Sequence, residues 1–190
     1  MESNNLTIVC YAGGMCGDLV SALVDGRGAR FTSYKTINHV AERTRLKKPH
    51  LLTLDEKNQY LSDISKQYLS IPSHDLEYHR QQSHNFISIT VEDFKTATWA
   101  ASRFKNIHRP HVWQEMQQLC GATDIESYAQ ILIDFSNLVK QTATATVSLE
   151  DIISGRVISS LETILKSDIT QAGKNIYNNW LDLQNGTYII

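Results

Sequence analysis

The residues best suited to chemistry fall in one short stretch, LTIVCYAGGMCGDLVSALVD, positions 6 to 25. Leu6 to Tyr11 is an apolar run rich in β-branched residues and reads as a buried strand. Gly13, Gly14 and Gly17 follow, and Leu19, Val20, Leu23 and Val24 then recur at helical spacing. A strand, a glycine-rich turn and a helix bring backbone N–H groups and a helix N-terminus to bear on an anion. Residues 13 to 19 are therefore the candidate anion site: Gly13, Gly14, Met15, Cys16, Gly17, Asp18 and Leu19. The full G-x-x-x-x-G-K-[ST] form is absent, because in register on Gly17 the lysine position is Asp18 and the hydroxyl position is Leu19. Asp18 removes the cation that ordinary nucleoside triphosphate hydrolysis uses, while it suits a helix N-terminus. The same turn also reads as a ligand-free connection in an α/β protein.

His74 is the sharpest catalytic candidate, since a neutral imidazole near the carboxyl end of a strand can take a proton from a hydroxyl. The alternative is an exposed or capping histidine in a polar loop. Asp75 beside it would not face the same way, so no dyad is expected. The other histidines offer no metal pattern. His74, His79 and His84 are five apart, which does not share a helical face, and His108 and His111 flank Arg109-Pro110. Cys16, next to a helix N-terminus, is expected to have a somewhat lowered pKa, with packing its more ordinary role. Arg43, Arg45, Lys47, Lys48 and His50 form either a solvated face or a rim that attracts an acidic partner or phosphates. Arg27 and Arg30 fall close to the end of the first helix and could reach an anion, but salt bridges with nearby acids would account for them equally. Trp99, Trp113 and Trp180 read as packing residues.

The elements that must position these groups are bounded by composition. The chain has 190 residues, enough for one domain with a real core. Its 18 basic and 20 acidic residues leave a net charge of -2, so there is no strong nucleic-acid signal. No apolar run approaches a bilayer span, and the N-terminus MESNNLTIV lacks the build of a secretory signal. Three cysteines without a C-x-x-C pattern fit reduced thiols, and a cytoplasmic location is expected.

Arg30 to Thr36 is a possible strand, and Asn38 a helix cap before VAERTRL, closed by Pro49. A helix is expected from Asp55, with Tyr60, Leu61, Ile64 and Tyr68 on one face. A strand is expected over 68–71, ending at Pro72. SHDLEYHRQQSH reads as a loop or short helix. NFISITV, 85 to 91, is apolar on both faces like a buried parallel strand. Asp93 to Phe104 is helical, and the remainder reads as almost all helix: 110 to 120, 124 to 140, a Ser148-capped segment, 156 to 165 and 170 to 184. The fold expected is a single α/β domain over residues 1–190, three-layered and P-loop-like. It has βα units over about 1–107, a short parallel sheet, and a helical part over about 108–190.

Three segments in chain order resemble the sulfotransferase-like branch of the P-loop fold, over roughly the first 105 residues. GMCGDL, 14 to 19, stands where that family's loop binds the 5′-phosphosulfate. Ser70-Ile71-Pro72-Ser73-His74 matches the segment whose histidine is the family's catalytic base, and ISITVEDFKTATWAASRF the strand and helix that hold the 3′-phosphate. The late segment YNNWLDLQN matches loosely. The resemblance implies 3′-phosphoadenosine 5′-phosphosulfate as donor and sulfuryl transfer to a hydroxyl, with Ser102 or Arg103 contacting a distal phosphate. The family's loop lysine falls on Met15, its threonine pair on Asp18 and Leu19, and a further lysine on Pro72. Its arginine falls on Glu92 and its serine on Ala100. Several lost charge-assisted contacts at about 1.5–3 kcal/mol each would weaken the nucleotide. Two expectations therefore stand together: a transferase with a small anionic ligand, and a binding or assembly protein that kept the fold without the chemistry.

Overall fold

The computed structural model describes residues 6–25, 52–82 and 84–187. In chain order the elements are β1 (Thr7–Cys10), α1 (Gly17–Asp25), α2 (Leu54–Ser65), β2 (Ser70–Ser73), α3 (Leu76–Gln81), β3 (Phe86–Thr90) and α4 (Phe94–Ile107). They continue with α5 (Pro110–Cys120), α6 (Ile125–Val139), β4 (Ala145–Ser148), α7 (Leu149–Ser154), α8 (Val157–Leu165) and α9 (Gln171–Thr187). The strand proposed over 30 to 36, the Asn38-capped helix, Arg27, Arg30 and the basic cluster Arg43 to His50 lie outside the described residues.

The four strands form one parallel sheet in the order β2-β1-β3-β4. This makes the protein an α/β protein with a short parallel sheet. Alternation along the strands sends Ile8, Cys10, Ile71 and Phe86 to one face, where Tyr60, Leu61 and Ile64 of α2 cover them. Val9, Ile87, Ile89 and Val147 face the other way, into a larger core with α1, α4, α6 and the C-terminal helices. Tyr128, Leu132, Leu161, Tyr177 and Trp180 fill that core. As expected, Trp113 and Trp180 are packing residues.

Local chemistry accounts for the helix starts. Thr53 accepts from the Glu56 N–H while Glu56 reaches back to the Thr53 N–H, a reciprocal pair that opens α2. Asp93, Asp124 and Ser148 cap α4, α6 and α7, each accepting from a first-turn N–H, and at Asp124 the Ser127 side chain reaches back as well. Pro110 at the first position of α5 has no N–H to leave unpaired.

Two expectations are corrected. β2 runs through Pro72 to Ser73, because β2 is paired on one side only among the described strands and proline's missing N–H faces away from the ladder. The almost wholly helical remainder also holds a strand that was not expected: β4 pairs in parallel with β3, Val147 lying opposite Ile89. No described helix is long and apolar enough to cross a membrane.

Candidate functional site

β1 lies inside the sheet, with β2 on one side and β3 on the other. The chain leaves β1 toward β2, and later strands extend beyond β3. The crevice at the carboxyl ends of β1 and β3 is thus the switch point at which open α/β sheets bind ligands. Residues 11 to 16 form the connection from β1 to α1 at that crevice.

Tyr11 organises the connection. Its N–H donates to the Ser73 carbonyl at 3.2 Å, tying the ends of β1 and β2 together. Its carbonyl lies 2.7 Å from Nδ1 of His74, and the two rings pack with centroids 4.2 Å apart. A carbonyl only accepts, so Nδ1 carries the proton and Nε2 is the basic nitrogen of the neutral ring. The Tyr11 hydroxyl donates to the Asp18 carboxylate at the start of α1. His74, Tyr11 and Asp18 thus form one connected row across the carboxyl edge, with His74 exposed to solvent.

The glycines of the connection serve close packing. A Cβ on Gly13 would meet the Phe104 ring at 2.7 Å and the Tyr128 hydroxyl at 2.9 Å. Gly14 has φ +91°, and a Cβ there would come 2.4 Å from the Ala100 carbonyl oxygen. Gly17 lies under the Tyr11 ring, 2.0 Å from where its own Cβ would be. Met15 is fully buried and Cys16 nearly so. The connection therefore folds down onto α4 and α6, with Asp18 and the Tyr11 phenol above it. The Tyr128 hydroxyl donates to the buried Gly13 carbonyl at 3.2 Å. Tyr128→Phe leaves that acceptor unsatisfied and is expected to cost about 1–2 kcal/mol. A urea midpoint unchanged from wild type would show that the bond contributes nothing.

The charge pattern also departs from expectation at Cys16. Burial pushes its thiol up, against the lowering expected at a helix N-terminus, and it is a packing residue. The Arg103 guanidinium acts on the same thiol in the opposite direction and Asp18 reinforces the rise, so both charges lie within electrostatic reach of the connection. Arg103 also sits over the Trp99 ring, 5.8 Å from its centroid. It is one turn along α4 from Ala100, which touches Gly14, and so shares that face. Ser102 is rotated roughly 200° from Ala100 and is not brought to the connection. Leu19 is buried in the core.

Beyond β3 the backbone is already engaged. The Val91 N–H donates to Ser136 Oγ at 2.8 Å, and the N–H groups of Glu92 and Asp93 donate to Glu150 at 3.0 and 3.1 Å. Glu92 pairs with Lys140 at 2.5 Å. This edge is acidic and its amides are occupied by the protein.

Sequence reasoning missed Tyr11, whose signal was its place directly after the strand and seven residues before Asp18. It also set His79 and His84 aside because five residues do not share a helical face. α3 ends at Gln81, the His84 N–H donates to the His79 carbonyl at 3.0 Å, and the two Nδ1 atoms approach to 3.1 Å. Comparison with known proteins finds no matching family model, no matching curated sequence and no matching solved structure.

Proposed function

We propose that the chain is a divergent sulfotransferase-like protein that binds a compact phosphate- or sulfate-bearing ligand at the carboxyl edge of β1, at the strand–glycine–helix connection. The observation that carries this reading is the row His74–Tyr11–Asp18 at the sheet's switch point, with the Arg103 charge within electrostatic reach of Cys16 in the same connection. Arg103 supplies from α4 a cation that the loop itself lacks. The first-turn N–H groups of α1 have no partners within their own helix, which favours negative charge there. Nε2 of His74 is placed to accept a proton from a hydroxyl acceptor, and the Tyr11 carbonyl holds the required tautomer.

The residues do not fit the nucleotide donor 3′-phosphoadenosine 5′-phosphosulfate. At the place where the resemblance puts the 3′-phosphate stand Glu92 and three N–H groups already bonded to Ser136 and Glu150. A compact anion avoids that edge. A second reading, a non-catalytic binding or assembly protein, is favoured by the Asp18 carboxylate at the start of α1 and by glycines that serve packing.

A thermal-shift panel of inorganic sulfate, phosphate, pyrophosphate and adenosine 3′,5′-bisphosphate separates the readings. A ligand at a hundredfold excess over Kd stabilises by about 2.7 kcal/mol. The expected result is a response to the compact anions, weakened about tenfold by Arg103→Gln and strengthened by Asp18→Asn. His74→Ala should leave binding intact and abolish transfer from any donor the wild type accepts. No response, or an equal response from Arg103→Gln, would leave the assembly reading standing.

A further inference from the structure

A second cluster of chemically capable side chains lies where α3 ends and β3 begins. His79 is 1% exposed and His84 is half-buried. Both line an open groove of about 550 Å³, whose walls also carry Glu77, Arg80, Asn85 and Thr142. The site described above uses neither histidine.

We propose that His79 and His84 form a two-imidazole chelate for a divalent cation of the zinc–copper class, with water from the groove completing the coordination. Their Nδ1 atoms are 3.1 Å apart. A cation about 2.0–2.1 Å from each would subtend an angle of roughly 100°, between the octahedral and tetrahedral values. The other ring nitrogen of His79 lies 2.8 Å from Ser73 Oγ. An anchored second nitrogen is the arrangement that orients a metal-bound imidazole and fixes its tautomer. The separation is also fixed through the backbone, by the bond from the His84 N–H to the His79 carbonyl.

A neutral imidazole keeps one lone pair to donate, and the Nδ1–Nδ1 contact brings the two rings within reach of a single ion. Without a cation, one Nδ1 must carry a proton for the two atoms to share a hydrogen bond. Binding moves that proton to the same ring's Nε2, and two neutral imidazoles lose none. Neighbouring charge is small, because Lys57 is paired with Asp75 at 2.6 Å and Arg80 with Glu77 at 3.4 Å. Among the described residues no group of three or more His, Cys, Asp or Glu converges, which is why water must supply the remaining positions. Imidazole ligands and the affinity order of the first-row metals favour copper and zinc over magnesium or calcium.

The test is titration of the full chain with Cu²⁺ and with Zn²⁺ at pH 7, followed by calorimetry, with electron paramagnetic resonance of the copper form. The expected result is a site of one equivalent whose copper spectrum shows two imidazole nitrogens. It should weaken at least tenfold in His84→Ala and be unchanged in His111→Ala, whose histidine lies on α5. Circular dichroism checks that His84→Ala is folded. Should it not be, His84→Asn preserves a polar side chain of similar size and is read in the same way. Absence of a one-equivalent site in the wild type would overturn the proposal, and so would equal binding by the folded His84 variant. Either result would leave the two rings as a hydrogen-bonded pair.

Discussion

Gly14→Ala is expected to destabilise the protein by about 3 kcal/mol, and Gly121→Ala by only about 1 kcal/mol. Both glycines adopt left-handed backbone, with φ +91° and +75°. Both substitutions therefore carry the strain of an L-residue in that region. The difference is what the new methyl meets. At Gly121 there is nothing within 4 Å, whereas at Gly14 the Ala100 carbonyl oxygen stands at 2.4 Å and the Phe104 Cβ at 3.2 Å. The obstacle at Gly14 is helix backbone, which cannot rotate aside. Relief requires the connection to lift off α4, and that would move Tyr11, Asp18 and the start of α1 with it. Urea denaturation of the two variants beside wild type measures the difference. Equal losses would mean that strain alone accounts for the effect and that the contact with α4 is dispensable.

Lowering the pH from 6.5 to about 4 is expected to remove about 3 kcal/mol of stability through His79 alone. Burial is the main cause of its depressed pKa, pushed down to about 4, and His84 and Lys57 act in the same direction while Asp75 opposes them. The sign follows from proton binding. Between about pH 4 and 6.5 the unfolded chain holds a proton on this ring and the folded chain does not, so protons favour unfolding. The contribution is fully present above pH 6.5, declines as pH falls, and levels off below about 4, where both states are protonated. Burial also lowers His84, which adds in the same sense. Unfolding free energies measured in chelator across this range should show the slope, and His79→Phe should flatten it while lowering stability overall. A variant with an unchanged slope would assign the acid sensitivity to other groups.

Much of the architecture was legible because local chemistry and burial pattern agreed. NFISITV is apolar on both faces, and β3 is buried between helix layers. Asp93, Asp124 and Ser148 are good caps, and each begins a helix. β4 was missed because ATVS is four residues long and acquires its backbone bonds from β3, more than fifty residues earlier. Pro72 looked like a strand end because proline's tolerance depends on whether its strand has a neighbour on the N–H side, which only the sheet order reveals.

At the site, the position of His74 after a strand was readable from the chain, and so was the strand–glycine–helix order. The sequence by itself determined that an α/β sheet would form around residues 6 to 11, since β-branched runs and helical periodicity act over a few residues. Only the tertiary structure decided what the glycines do. Whether Gly13 and Gly14 open a cradle or admit a packed helix depends on Phe104, Tyr128 and Ala100, which approach from distant parts of the chain. The same holds for Cys16, where neighbours that exclude water outweigh the helix terminus, and for the Arg103 charge, which α4 delivers from nearly ninety positions away. Solvent exclusion and long-range contact are properties of the packed molecule, and no spacing along the chain encodes them.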